Sequence, residues 1–220
     1  METFCINRDD FRYPPIRTDL LANAIRPTLH VVGVPGILHA PMLGLLCSIR
    51  CPGSIILKTF DAIRLLRDAG ITLIGGFQSP MEKDCLDILL RGDQQVILCA
   101  AKGLRGLRIG SAARKAVKEG RLLLLSPFSD DVRRTTAEQA VQRNELIASL
   151  ASDIFVPHAA PGGKAEALCR SIAAEGKRLY TIDSVDNSNL VMLGAKPFSI
   201  SHMPAYYNGA GSSLPSKSWE

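Results

Sequence analysis

Four segments of the 220-residue chain combine residue types that can hold a phosphate. Cys47-Ser48-Ile49-Arg50-Cys51-Pro52-Gly53-Ser54 places a hydroxyl and a guanidinium just ahead of a glycine and a helix-like stretch. Main-chain N–H groups, a helix dipole and a bidentate cation would then converge, a combination that suits a phosphate. A Pro-Gly turn with an exposed Arg50 is the structural alternative. In Gly75-Gly76-Phe77-Gln78-Ser79-Pro80 two glycines let a ligand approach the backbone closely. Pro157-His158-Ala159-Ala160-Pro161-Gly162-Gly163-Lys164 is a third small-residue segment that leads into a helical pattern. The fourth is Gln142-Arg143-Asn144, whose neighbours Leu146, Ile147 and Leu150 mark the buried side of a helix. Arg143 and Asn144 then either project over a ligand or form a solvated face.

Other chemistries find less support. No GxGxxG follows the first strand and no GxxxxGK[ST] occurs, so neither an ordinary dinucleotide-dependent dehydrogenase nor a P-loop ATPase is supported. The acids near the four segments, Glu82, Glu166 and Asp183, stand in no motif that fixes a catalytic role, so no catalytic residue is assigned and no turnover is expected. Six cysteines (Cys5, Cys47, Cys51, Cys85, Cys99, Cys169) are scattered through apolar runs without a CxxC pair and read as reduced core residues. Cys47, Cys51 and His39 lack the second pair that a tetrahedral zinc site needs, so neither a metal nor a cofactor is expected.

Net charge is +5, but its distribution is uneven. Between Lys102 and Arg121 seven cations (Lys102, Arg105, Arg108, Arg114, Lys115, Lys118, Arg121) face Glu119 alone, a local +6 that leaves the remainder near −1. With no aromatic residue in this stretch, Lys102, Arg105, Arg108, Arg114 and Lys118 are candidates for contacts to a nucleic-acid backbone, insensitive to base sequence. A solvated loop and helix face is the alternative.

These segments need a scaffold that brings them together. Apolar runs at Leu43–Cys47, Ile71–Ile74, Gln95–Cys99, Leu122–Leu125, Asp153–Val156 and Arg178–Thr181 alternate with helix-length stretches at Ser54–Ala69, Met81–Arg91, Ser111–Glu119, Thr136–Ser152 and Lys164–Glu175. That alternation predicts a three-layer α/β fold, a mainly parallel sheet with helices on both faces. The three small-residue segments follow strands, so they gather at the carboxyl edge where such sheets bind ligands. The organisation expected is an N-terminal extension over residues 1–42 with a short strand, a core domain over 43–198 and an irregular tail over 199–220 holding Trp219. Val31–Ile49 lacks formal charge, but Pro35, Pro41 and three glycines interrupt it, which favours a strand, a turn and a second strand over a membrane span. Met1–Asp10 has no apolar stretch behind a basic flank, so no secretory signal is expected and a cytoplasmic protein is.

Taken together the segments resemble the DNA-processing protein A (DprA/Smf) family, part of a Rossmann-like superfamily that includes the LOG-type, lysine-decarboxylase-like proteins. Leu45-Leu46-Cys47-Ser48-Ile49-Arg50 is similar to that family's apolar strand ending in Gly-Ser-Arg, and Thr72-Leu73-Ile74-Gly75-Gly76 to its strand followed by Ser-Gly. Leu124-Leu125-Ser126-Pro127-Phe128 resembles its Ser-Glu-Tyr-Pro segment. Arg143-Asn144-Glu145-Leu146-Ile147-Ala148 resembles its Arg-Asn-Arg-Ile-Ile-Ala helix. Against the LOG-type enzymes, Pro161-Gly162-Gly163 matches the start of their glycine motif, but Ala165, Glu166 and Cys169 replace its Gly, Thr and Glu. The resemblance implies a DNA-binding homodimer holding single-stranded DNA through Ser48, Arg50, Gly53, Gly75, Gly76, Phe77, Arg143, Asn144, Gly162, Gly163 and Lys164. The alternative is a nucleotide-binding or nucleotide-hydrolysing module with one phosphorylated ligand in the same loops.

Overall fold

Leucine-, isoleucine- and valine-rich runs too short for helices become strands, and the central ones are nearly all apolar because helices cover them from both sides. The computed structural model describes residues 3–21 and 27–207. Its strands, in chain order, are β1 (Phe4–Ile6), β2 (Leu29–Val32), β3 (Met42–Leu45), β4 (Thr72–Gly75), β5 (Val96–Cys99), β6 (Leu122–Ser126), β7 (Asp153–Val156), β8 (Leu179–Thr181) and β9 (Lys196–Pro197). The helices are α1 (Gly53–Asp68), α2 (Pro80–Leu89), α3 (Ser111–Lys118), α4 (Ala137–Leu150), α5 (Lys164–Ala174) and α6 (Ser188–Met192). All nine strands form one sheet in the order β1-β2-β6-β5-β4-β3-β7-β8-β9. From β6 to β9 every pairing is parallel, while β2 runs antiparallel to both β1 and β6. The α/β sheet with helices on both faces is therefore as the sequence predicts.

Alternation along the strands divides the core in two. Leu43, Leu45, Leu73, Val96, Leu122 and Leu124 pack under α1, α2 and α3, whereas Ile74, Ile97, Leu123, Leu125 and Ile154 pack under α4, α5 and α6. The stretch Val31–Ile49 resolves into β2, a short turn of helix at Pro35–His39, and β3. No helix among the described residues is long and apolar enough to cross a membrane. The reading of all six cysteines as core residues holds for Cys85, Cys99 and Cys169 only. Cys5 is exposed because edge strand β1 turns it to solvent, beside His30, and Cys47 and Cys51 are half-buried. His39 bonds to the Arg12 carbonyl rather than to either thiol.

Beyond β9 the chain stays on the sheet through Tyr207. Met203 and Tyr207 are buried, the Tyr207 hydroxyl donates to the Met42 carbonyl at 3.2 Å, and Tyr206 donates to Asp153, which also accepts from Arg178 at 2.8 Å. Residues 208–220 of the expected 199–220 tail, Trp219 among them, lie outside the described residues.

The end of α4 is closed by a side chain. Lys177 Nζ donates to the carbonyls of Ala148 and Ala151, groups that a helix terminus leaves without intrahelical donors. Lys177→Met keeps the apolar stem and removes the donors, so it should cost about 1–3 kcal/mol in chemical denaturation. Unchanged stability would show that water replaces the lysine at no cost.

Candidate functional site

Chain order reverses direction at β3: the chain proceeds through β4, β5 and β6 on one side and through β7, β8 and β9 on the other. Such a switch point opens a crevice at the carboxyl ends of the two central strands. Here β3 and β7 are those strands, and the loops that follow them are Leu46–Pro52 and Pro157–Gly163. Their pairing continues past the strands, with Leu46 N donating to Phe155 O at 3.1 Å and Ser48 N to His158 O at 3.0 Å. The Ser48 hydroxyl accepts from Ala160 N at 2.9 Å, so it ties the two loops together. Arg50 is exposed and pairs with no carboxylate among the described residues. Gly53 opens α1, which has Pro52 before it and no side-chain cap. The first amides of α1 thus face the crevice edge without an internal anion.

The glycine pair after β4 makes room for two neighbours. A Cβ at Gly75 would meet the Phe77 ring at 3.0 Å. A Cβ at Gly76 would lie 1.6 Å from Arg143 Nη1 and 2.1 Å from Cζ. Gly76 is therefore glycine because a guanidinium lies against its backbone. Phe77 has a left-handed backbone (φ 48°) and a buried ring, so it presents no aromatic face to a ligand. Arg143 is 4% exposed; its Nη1 donates to the Cys99 carbonyl at the end of β5, its Nη2 makes a long 3.4 Å bond to the Gln78 side chain, and its Nε has no partner. Burial lowers its pKa, while the nearby Cys99 and Glu82 act in the opposite sense. Glu82 makes no ion pair with it. That carboxylate accepts from Ser79 N at 2.9 Å and Gln78 N at 3.3 Å, completing a capping box at the start of α2, which is a structural role. Asn144 follows Arg143 on α4 and is half-buried.

The loop after β7 is braced from within. Glu166 accepts from Gly162 N at 2.6 Å and from Asn189 Nδ2 at 3.0 Å, while Asn189 also donates to the Ala159 carbonyl. The Gly162 amide thus already has an anionic acceptor. Gly163 is the residue before α5, and Lys164, exposed, is its first residue. The Gly162 amide, then Asn189, hold the Glu166 carboxyl below its ordinary pKa of 4.5. A carboxyl lowered on folding stabilises the fold fully above its unfolded pKa and loses that contribution as pH falls through the folded value. Glu166→Gln should accordingly lower the melting temperature near neutral pH, with the gap to the parent protein shrinking as acid protonates Glu166. A gap independent of pH would remove the carboxylate from this role.

The basic stretch does not stay together. Lys102, Arg105 and Arg108 lie on the loop after β5, at the carboxyl edge of the sheet. Arg114 is exposed on α3, and Lys118 ends that helix as the chain approaches the start of β6, at the opposite edge. There Lys115 and Arg121 pair with Glu119, and Arg121 bonds to the Gly92 carbonyl. Two cations missed in the sequence, Arg133 and Arg134, are exposed on the loop between β6 and α4. That loop is joined to the one after β5 by Gly103 N to Val132 O at 2.8 Å and Arg105 N to Asp130 at 2.9 Å. Adjacent arginines between a strand and the Thr136 cap were the available signal. Among the described residues no three His, Cys, Asp or Glu side chains gather to hold a metal.

No family model matches the sequence, and no curated protein matches it. The X-ray structure of DNA processing protein A from Streptococcus pneumoniae superposes with a TM-score of 0.73, covering 90% of this chain and 71% of that one at 18% identity. The fold is that of DNA processing protein A. The DNA processing protein A of Helicobacter pylori, solved for its single-stranded DNA binding mode, gives a TM-score of 0.69 over 91% of this chain and 93% of that one, again at 18% identity. In both, the DNA processing protein A likeness covers nine-tenths or more of this chain rather than one motif.

Proposed function

We propose that the protein binds single-stranded DNA, without turning it over, along the carboxyl edge of the sheet, with backbone phosphates held at the β3 and β7 loops and beside Gly76 and Arg143. The observation that carries this reading is Arg143. A buried guanidinium with no carboxylate paired to it is costly unless an anion completes it. Among the described residues its one side-chain hydrogen-bond partner is Gln78, at a long 3.4 Å, which a phosphate would replace with a shorter charge-assisted bond. Ser48, Arg50, the open start of α1 and Lys164 extend the site, and the linked loops of Arg105, Arg108, Arg133 and Arg134 extend the positive edge. The fold shared with the Helicobacter pylori protein, which binds single-stranded DNA, supports the choice of polymer over mononucleotide. The expectation of no turnover is supported by two of the acids: Glu82 caps α2 and Glu166 braces a loop.

The test is a titration with short single-stranded DNA, matched duplex and free nucleotides at several salt concentrations. Single strands should bind more tightly than duplex or nucleotides, with affinity falling as salt rises. Preference for a mononucleotide with a flat salt response would overturn the reading. Arg50→Ala, at an exposed position, should weaken single-strand binding by about 1.5 kcal/mol, roughly ten-fold. Arg50→Lys should restore little of it if the contact is a two-bond fork.

A further inference from the structure

We infer that an unpaired base of the bound strand packs between Ile49 and Val185, which makes these two residues selectors of single-stranded over duplex DNA; this rests on the DNA-binding reading and deepens it. Among the described residues Val185 and Ile49 are the most exposed large apolar side chains, at 89% and 83%. Apolar residues scattered singly over a surface are ordinary, but these two stand on loops that a single residue joins. Ser48, next to Ile49, donates its amide to the His158 carbonyl at 3.0 Å. The His158 ring donates through Nδ1 to Asn187 Oδ1 at 2.9 Å, two residues after Val185. The pair therefore flanks the β7 loop at the carboxyl edge, Ile49 from the side of β3 and Val185 from the side of β8.

Both loops are pinned by hydrogen bonds. The Ser48 hydroxyl accepts from Ala160 N, and the buried Asn187 amide donates to the Pro157 and Ile182 carbonyls at 2.8 and 2.9 Å. Those two bonds fix which end of the Asn187 amide meets the imidazole, so His158 Nδ1 carries the proton. From α1, Lys58 Nζ donates to the Asp183 carbonyl at 2.8 Å and holds the β8 loop from its other side. Only β7 separates β3 from β8, which puts those strands about 9.6 Å apart at the ordinary sheet spacing. A flat ring in van der Waals contact on both faces needs about 7–8 Å between the flanking atoms, so one base fits the interval. A duplex keeps the faces of its bases stacked and must extrude a base to offer one. Arg50, exposed and one residue on from Ile49, holds the adjoining phosphate in the proposed site. Phe77, the aromatic of the β4 loop, is buried, which leaves the aliphatic side chains to cover the base. Aliphatic surface has no donor or acceptor, so it shields a base from water without reading its identity.

The experiment measures the affinity of the full chain for a short single strand, for a strand of equal length with abasic sites throughout, and for matched duplex. The parent protein should prefer the base-bearing strand to the abasic one. Ile49→Ala and Val185→Ala should each weaken binding of the base-bearing strand roughly three- to ten-fold, without effect on the abasic strand, so that the preference over duplex shrinks. Ile49→Phe should tighten it, because an aromatic face stacks on a base. Arg50→Ala, by contrast, should weaken both strands alike. Equal weakening of the two strands by the alanine variants, or none of either, would overturn the base contact and leave the DNA reading standing. Loss of self-association in those variants, with DNA affinity unchanged, would assign the pair to a protein contact and likewise overturn it. A parent protein that binds neither strand rejects the DNA reading and the base contact together.

Discussion

Gly76→Ala will cost the protein both stability and single-strand affinity, and removing Arg143 in the same chain will restore the first without the second. The added methyl carbon falls 1.6 Å from Arg143 Nη1, far inside any contact distance, and the guanidinium is held by the Cys99 carbonyl and 4% exposed. It cannot move aside within its site. Overpacking of this kind costs about 1–3 kcal/mol. Expelling the guanidinium also removes the proposed charge-assisted contact to phosphate, about 1.5–3 kcal/mol, or roughly ten-fold to over a hundred-fold in affinity. In Gly76→Ala combined with Arg143→Ala the steric conflict disappears, so urea denaturation should show positive coupling between the two sites. DNA affinity should stay as low as in Arg143→Ala alone. Additive destabilisation would mean that the guanidinium relaxes elsewhere, and that Gly76 is not there to admit it.

That coupling illustrates what could and could not be read from the sequence. Strands β3 to β8 and helices α1 to α5 announce themselves, because a strand covered on both faces is apolar throughout and a covering helix is amphipathic. Strand β1, strand β9 and helix α6 span three, two and five residues, too few for any period to show. Arg143 stood out as a cation just before Leu146, Ile147 and Leu150 on the buried face of α4. Its partner Gly76 read as a glycine that lets a ligand approach the backbone, since the guanidinium that fills the space comes from a helix distant in the chain. Glu166 was legible only as an acid without a motif. Its role depends on Asn189, 23 residues away, and on a turn that returns the Gly162 amide to it. Charge counting along the chain likewise treated Lys102 to Arg121 as one patch. A helix that carries the chain from one sheet edge to the other divides it.

The division has a measurable consequence for salt dependence. Arg105, Arg108, Arg133 and Arg134 share two loops tied together at the carboxyl edge, while Lys115 and Lys118 occupy the far end of α3. Each phosphate contact to a single strand contributes about 0.7 to the slope of log affinity against log salt, so reversing all four arginines to Glu should flatten it by about 2.8. Between a reference of about 1 M and about 0.15 M salt, that slope corresponds to roughly 200-fold in affinity. Like-charge repulsion deepens the loss. Lys115→Glu with Lys118→Glu changes net charge by half as much, at the other edge. Surface charges separated by more than about 8 Å are largely screened at physiological ionic strength. The pair should therefore leave the slope within error of the parent. If instead both sets flatten the slope in proportion to their charge, the DNA responds to the whole molecule's field, and a track along the carboxyl edge is ruled out.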